Sequence, residues 1–196
     1  MNSASGRSAE ESSDSTTDPP RFLPNLAWRD LQITPGFFPP TGQIMECEAP
    51  NKWSLRFLEL AKVVAAWSKD PSTRVGAVIV RPDRTIVSVG YNGFPRGTDD
   101  YHQLLNDRET KLRRTVHAEV NAILTAREPL HGYSIYVTPL HPCATCAGII
   151  VQSGIKYVCA HLAKEPNPSW VDDFNAASRM FKEAGVTVEL ITERSN

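Results

Sequence analysis

From about residue 51 onward, stretches with a helical period of hydrophobic positions alternate with stretches typical of strands. Apolar residues recur at helical spacing over Trp53–Trp67, which predicts a first helix that ends before Asp70-Pro71. Two β-rich runs, Val75–Val80 and Ile86–Tyr91, flank a short segment with turn chemistry, so they predict a hairpin. A polar loop follows over 92–115.

The rest of the chain repeats this alternation. The pattern predicts three more helices and three more strands: helices His117–Arg127, Cys143–Ser153 and Trp170–Ala184, and strands Tyr133–Thr138, Lys156–Ala160 and Val186–Leu190. Strands that alternate with helices indicate the α/β class, in which helices cover both faces of one sheet.

The first fifty residues differ in composition from the rest. Residues 1–20 are Ser-rich and acidic with almost no apolar side chains, which predicts a disordered tail. Residues 21–50 are rich in proline, and we expect an extended arm that packs on the core or on a neighbouring subunit. We expect residues 51–196 to form the folded domain.

Charge and composition exclude several classes of protein. The 21 basic and 22 acidic residues give a net charge of −1, which argues against a nucleic-acid-binding surface. No apolar run approaches the ~18–20 residues of a membrane span. The N-terminal segment also lacks the features of a signal or transit peptide, so we expect a soluble, cytoplasmic protein without a membrane partner.

Two short motifs carry the candidate chemistry. Cys143 and Cys146 are one helical turn apart, so their sulfurs share a face, and Pro142 suits the entry to a helix. A helix start favours thiolates, the form that binds zinc. His117 and Glu119 are two positions apart and converge only where a helix begins. Two helix starts that face each other would therefore build a His/Cys/Cys pocket with a glutamate beside it.

Three protein ligands leave one tetrahedral position open, which is typical of catalytic rather than structural zinc sites. Zinc lowers the pKa of water from 15.7 to about 7, and Glu119, as a non-ligand, would move protons during a hydrolytic reaction. Two other interpretations stay open: a redox dithiol at Cys143 and Cys146, and a closed zinc site completed by Cys159 or His161. Cys159 lies in an apolar strand and is typical of a core thiol.

The combination H-x-E with P-C-x-x-C is the mark of zinc-dependent nucleobase deaminases. The resemblance is wider than this motif, and the chain resembles the deoxycytidylate (dCMP) deaminase family in five blocks: SKDPSTRVGAVIV at 68–80, SVGYNGFPRGTDD at 88–100, HAEVNAIL at 117–124, YVTPLHPCATCAGIIVQSGIKYV at 136–158 and EAGVTV at 183–188. The segment 161–174, in contrast, is unlike the tyrosine-rich stretch expected of the family.

The resemblance implies a three-layer, cytidine-deaminase-like fold with a five-stranded mixed sheet. It implies that His117, Cys143 and Cys146 bind Zn²⁺ and that Glu119 is the proton shuttle. It further implies homohexamers, with dCTP and dTTP as effectors. Two residues would contact the substrate, Asn92 through its side chain and Ala118 through its backbone. Arg74 and Arg96 are candidates for phosphate or effector contacts.

The phosphate contact has further candidates in Lys111, Arg113 and Arg114, each of which could equally be a solvated surface charge. His141 is expected to line the pocket, and His102 and His131 to lie on the surface. The leading hypothesis is hydrolytic deamination of dCMP to dUMP. A deaminase of cytosine, a nucleoside or another aminated base is one alternative, and a catalytically silent zinc-bearing interaction module is another. Low basicity disfavours editing of nucleic acid.

Overall fold

The computed structural model describes residues 51–162 and 168–192. The predictions of an acidic tail over 1–20 and a proline-rich arm over 21–50 lie outside the described residues. Within them the helices and strands follow in this order: α1 Lys52–Ala65, β1 Gly76–Val80, β2 Ile86–Tyr91, α2 His102–Asn106, α3 Arg108–Arg114, α4 Ala118–Thr125, β3 Ser134–Thr138, α5 Ala144–Gln152, β4 Tyr157–Leu162, α6 Pro168–Glu183 and β5 Thr187–Thr192.

The strands form one mixed sheet with the order β2-β1-β3-β4-β5. Strand β1 pairs antiparallel with β2 and with β3, whereas β3, β4 and β5 are parallel neighbours. A short connection joins β1 to β2, which favours an antiparallel hairpin. Longer connections that contain a helix join β3 to β4 and β4 to β5, which suits parallel pairing. The expected five-stranded mixed sheet is confirmed.

Helices cover both faces of this sheet, which gives three layers. On one face α1 packs Phe57, Leu58 and Val64 against Val78 and Tyr136 of the sheet. On the other face α4, α5 and α6 bury a second cluster with residues of β1, β3 and β4: Ala118, Ala122, Ala147, Ile150, Ala177 and Phe181 with Ala77, Ile79, Ile135, Val137 and Val158. All five residues of β1 are buried because this strand is central and covered on both sides.

Two glycines set the distance between the sheet and its covering helices. A Cβ on Gly76 would overlap the α1 backbone at Ala61, and one on Gly90 would overlap the α4 backbone at Ala118 and Ala122. The start of α4 is therefore held against β2 by the lack of a side chain at Gly90.

The loop at 92–115 departs from the sequence prediction because it contains two short helices. Helix α3 contributes no residue to the hydrophobic core, so it has no hydrophobic period to reveal it. Local contacts stabilise it instead: Asp107 accepts a hydrogen bond from the Thr110 N–H, and Glu109 pairs with Arg113 at 2.8 Å. Across the described ranges, no helix combines the length and the apolar character needed to cross a membrane.

Candidate active site

The starts of α4 and α5 meet and bring three metal-binding side chains together. His117 is the N-cap of α4 in extended backbone, and Cys143 is the N-cap of α5. His117 Nδ1 lies 3.5 Å from Cys143 Sγ and 3.3 Å from Cys146 Sγ. All three ligand atoms lie within 4.8 Å of one another, as the spacing of the two motifs predicts.

This arrangement fits zinc. With Zn–S of about 2.3 Å and Zn–N of about 2.0–2.1 Å, a tetrahedral ion separates its sulfur and nitrogen ligands by roughly 3.5 Å. The two nitrogen–sulfur distances, 3.5 Å and 3.3 Å, agree with that value. Two thiols and one imidazole are also a donor set that zinc prefers.

A fourth protein ligand is not found among the described residues. Cys159 is buried in the cluster on the α1 face of the sheet, opposite the helices that carry the site. His161 Nδ1 lies 2.7 Å from Thr138 Oγ1, and His161 does not belong to the metal-binding group. The open, three-ligand arrangement therefore describes this part of the chain better than the closed site.

The two thiols differ in acidity. The hydrogen bond with Cys146 lowers the pKa of Cys143 to about 4, with further stabilisation of its thiolate by His117. The same hydrogen bond and burial raise the pKa of Cys146. The hydrogen bond with Cys143 raises the pKa of His117 above its ordinary value. These contacts at the start of α5 thus favour the Cys143 thiolate, the form that binds zinc. That Cys146 also binds zinc as a thiolate stays a prediction.

Glu119 lies in the first turn of α4, beside these ligands. Its residue is only 4 % exposed, yet it lines a cavity together with Ala118 and Cys143. Burial raises the pKa of the Glu119 carboxyl. A raised pKa makes the carboxylate a stronger proton acceptor, and its protonated form can return the proton, which is the property of a general acid–base catalyst.

Helix α6 adds a residue that sequence reasoning missed. Asp173 Oδ2 accepts a hydrogen bond of 3.0 Å from the Ala144 N–H, at the first residue of α5. Asp173 and the adjacent Phe174 line the cavity, and the Phe174 ring meets His141 edge-on at 5.7 Å. No local motif could identify Asp173, because its role depends on the packing of α6 against α5.

The cavity has a volume of about 590 Å³ and runs from the metal-binding group to the loop at 92–115. His141 lines it, as expected, while His102 and His131 are exposed. The lining also includes residues of the segment after α1 and of helices α2 and α3: Asp70, Ser72, Asn106, Arg108 and Lys111.

The predicted substrate contacts divide into two groups. Ala118 and Asn92 line the cavity, whereas Arg74 and Arg96 are exposed and do not. The Asn92 side chain is buried; its Oδ1 accepts from the Val75 N–H at 2.8 Å, and its Nδ2 donates to the Thr73 carbonyl at 2.9 Å. Asn92 therefore also holds the cavity wall together.

The fold and this site define a zinc-dependent hydrolytic deaminase. Residues 51–162 match the family described as the cytidine and deoxycytidylate deaminase zinc-binding region, and the chain belongs to this family. An enzyme of this family, with His117, Cys143 and Cys146 as the residues that would hold zinc, accounts for the whole arrangement.

Curated relatives agree with this assignment. The chain is 45 % identical over 139 residues to an uncharacterized deaminase in the luxG 3′ region of Aliivibrio fischeri, covering 70 % of this chain and 92 % of that protein. It is 51 % identical over 120 residues to a probable deoxycytidylate deaminase of Caenorhabditis elegans, covering 59 % and 60 %. It is 39 % identical over 151 residues to the deoxycytidylate deaminase of Mus musculus, covering 73 % and 82 %.

The fold has solved counterparts. The crystal structure of dCMP deaminase from the cyanophage S-TIM5 in apo form matches with a TM-score of 0.55 at 23 % identity, covering 70 % of this chain and 96 % of that one. The structure of the same phage enzyme in complex with dCMP and dUMP matches with a TM-score of 0.56 at 22 % identity. At this identity the likeness establishes the three-layer fold.

Proposed function

We propose that this enzyme hydrolyses dCMP to dUMP and ammonia, with Glu119 as the proton-transfer residue. One observation carries the proposal: a buried glutamate lines a cavity beside an open His/Cys/Cys group. The names of the mouse and nematode relatives support deoxycytidylate as the substrate. The reaction forms one bond between water oxygen and C4 of the pyrimidine, and it breaks the bond from C4 to the exocyclic nitrogen.

His117, Cys143 and Cys146 would hold the zinc. When bound there, zinc supplies a water whose pKa is lowered toward neutrality. The protein contributes by fixing the three ligands on two helix starts, each anchored to the sheet. Asp173 supports this geometry because it accepts the Ala144 N–H at the start of α5.

Glu119 moves the protons. Its carboxylate takes a proton from the attacking water and gives it to ring nitrogen N3, which makes C4 more electrophilic. It then takes the remaining proton from the new C4 hydroxyl and passes it to the exocyclic nitrogen, so that the bond from C4 to nitrogen breaks, neutral ammonia leaves and the carbonyl of dUMP forms. The raised pKa of Glu119 suits this exchange, since burial favours the protonated form and so strengthens the carboxylate as a proton acceptor.

The remaining site residues bind the nucleotide. Ala118 lies between His117 and Glu119, so its backbone is placed to contact the pyrimidine edge. Asn92 contributes from the cavity wall toward the sugar, held in position by Val75 and Thr73. The cavity gives no support to Arg74 and Arg96 as contacts of the substrate phosphate, because neither residue lines it; an effector contact of either stays a prediction.

A substrate panel tests the proposal. Steady-state kinetics of ammonia release are measured for dCMP, CMP, deoxycytidine and cytosine with the zinc-loaded protein. We expect the highest kcat/KM for dCMP. A tenfold preference for deoxycytidine or cytosine would show that the substrate is not the nucleotide, and no deamination of any of the four would favour the interaction-module alternative.

The wider organisation is also proposed. The family resemblance supports a homo-oligomer, with a hexamer as its size. It also supports dCTP and dTTP as effectors of the activity. The free thiols of Cys143, Cys146 and Cys159 are consistent with the reducing cytoplasm. Residues 51–196 would be the catalytic domain, of which 51–162 match the family. Light scattering of the purified chain, and kinetics with each effector added, test assembly and regulation.

A further inference from the structure

The charged groups that line the cavity are distributed unevenly. Glu119 and Asp173 line the cavity together with the metal ligands His117 and Cys143. The segment after α1 and helix α3 add two cations to the lining, Arg108 and Lys111, with one acid, Asp70. Arg108 and Lys111 are therefore the lining groups that attract an anionic group of a ligand.

Lys111 is the cation that the structure holds most firmly. Its side chain is only 12 % exposed, and its ammonium donates to Asp70 Oδ1 at 3.1 Å and to Ser72 Oγ at 2.7 Å. An ammonium has three N–H donors, so one remains after these two contacts. Ser72 Oγ accepts from Lys111, which leaves the Ser72 hydroxyl proton to be donated elsewhere.

Asp70 keeps both donors in place. Its Oδ1 accepts the backbone N–H groups of Ser72 at 2.7 Å and Thr73 at 3.1 Å, in addition to Lys111. The turn that carries Ser72 is thus tied to the helix that carries Lys111. A group already fixed before a ligand arrives loses little conformational entropy on binding it.

We propose that Lys111 and Ser72 bind the 5′-phosphate of the substrate, with Asp70 as the residue that positions them; this assignment rests on the proposed deamination of a nucleotide. The base then lies beside the metal ligands and the phosphate beside α3, which supplies the cations of the lining. Phosphate oxygens accept a charge-assisted hydrogen bond from the ammonium and one from the serine hydroxyl. Arg108 has no ion pair among the described residues and adds positive charge to the same part of the lining.

The exposed arginines are weaker candidates for this contact. Arg74 Nε reaches only the Asp70 carbonyl at 3.5 Å, and neither Arg74 nor Arg96 lines the cavity. Arg96 supplies the matched control, since Arg96→Met and Lys111→Met each remove one positive charge from the connection at 92–115.

The test compares each variant on a substrate with the phosphate and on one without it. For Lys111→Met we expect kcat/KM for dCMP to fall by roughly 10- to 100-fold, the range for losing a hydrogen bond to a charged group, while that for deoxycytidine changes less than threefold. For Ser72→Ala the expected loss on dCMP is about 3- to 10-fold. Arg96→Met should leave both substrates unchanged, and Lys111→Arg should recover part of the dCMP activity.

Two further measurements separate phosphate binding from a purely structural latch. Calorimetric binding of dUMP and deoxyuridine gives the same comparison without turnover, and only dUMP binding should weaken in Lys111→Met. If Asp70 positions Lys111, Asp70→Asn raises KM for dCMP more than it lowers kcat. An equal loss on both ligands would assign Lys111 to stability alone and overturn the proposal. A wild-type enzyme that prefers deoxycytidine would instead overturn the proposed function.

Discussion

Two buried glutamates occupy opposite faces of the sheet. Glu119 is 4 % exposed and Glu189 is 3 % exposed, so burial does not distinguish them. Glu189 lies on β5 and accepts hydrogen bonds from Ser54 Oγ at 2.8 Å and from the Tyr157 hydroxyl, under helix α1. Glu119 lies at the start of α4, beside His117 and in the wall of the cavity.

The two glutamates differ in their access to a ligand: Glu119 faces the cavity beside the metal ligands, and Glu189 does not. Glu189 neighbours a cysteine too, Cys159, whose pKa is raised by burial. That thiol is not part of a metal-binding group in the described chain, and Glu189 does not line the cavity. A buried carboxylate with fixed hydroxyl donors contributes to packing and orientation, whereas one that faces a cavity beside metal ligands can exchange protons with a substrate.

The largest expected effect comes from replacing one cysteine on each face of the sheet by alanine. Cys146→Ala removes one of three zinc ligands, so stoichiometric zinc and turnover should both be lost. Cys159→Ala, on the other face, should keep both, with a stability loss of about 1–2 kcal/mol from the cavity it leaves. Elemental analysis and ammonia release check both variants. Full zinc in Cys146→Ala would show that the three-residue site is misassigned.

The next effect concerns the glutamates themselves. Glu119→Gln should lower kcat by about 10²- to 10⁴-fold, because the amide cannot accept and return a proton, while zinc content stays near that of the wild type. Glu189→Gln should retain kcat and lower the free energy of unfolding by about 1–3 kcal/mol, since the amide disturbs the contacts with Ser54 and Tyr157.

Kinetics and denaturant unfolding of the two variants provide the measurements. The comparison fails if Glu189→Gln reduces kcat as much as Glu119→Gln does. It also fails if Glu119→Gln turns over dCMP at the wild-type rate.

A smaller effect separates the two helix layers. A methyl group at Gly90 would push α4 away from β2, and one at Gly76 would push α1 away from β1, each at about 1–3 kcal/mol. Only Gly90→Ala displaces the helix start that carries His117 and Glu119. We therefore expect zinc affinity and kcat to fall in Gly90→Ala and not in Gly76→Ala, measured at a temperature where both are folded. Gly148→Ala, whose Cβ meets no atom within 4 Å, is the control.

The smallest effect is the pH dependence of stability at Asp70. Burial alone would raise the pKa of Asp70, but hydrogen bonds from Ser72 and Thr73 and the nearby Lys111 ammonium hold it below its ordinary value of 3.8. The stabilisation is therefore complete above pH 3.8 and is lost as the pH falls through the lowered folded-state pKa. Asp70→Asn should flatten the acid limb of a Tm-against-pH curve. An unchanged acid limb in that variant would contradict this assignment.

Much of the site was accessible from the sequence because it is local. The spacing of Cys143 and Cys146, and the position of His117 two residues before Glu119, specify two helix starts whatever else the chain does. The alternation of periods likewise predicted β2 with its observed bounds and placed the other strands within one or two residues of their observed ends. What stayed hidden depends on tertiary contacts.

Asp173 acquires its place only when α6 packs on α5, and Lys111 is distinguished from Arg113 and Arg114 only by the direction that α3 gives it. Helix α3 itself has no buried face, so its pattern cannot be told from that of a polar loop. Lys111 could therefore be preferred to the exposed Arg74 and Arg96 as the phosphate contact only after the residues lining the cavity were known.

The metal ligands and much of the cavity lining come from different parts of the chain. The ligands lie at the starts of α4 and α5, while a large share of the lining comes from the connection between Gly93 and Thr115, which adds no strand to the sheet. Surface connections tolerate exchange better than the framework that carries them. Exchanging this one segment between homologues is thus a route to new amine-bearing ligands that leaves the metal ligands and Glu119 unchanged. The metal content of such a chimera would show whether the segment can be replaced without disturbing the metal site.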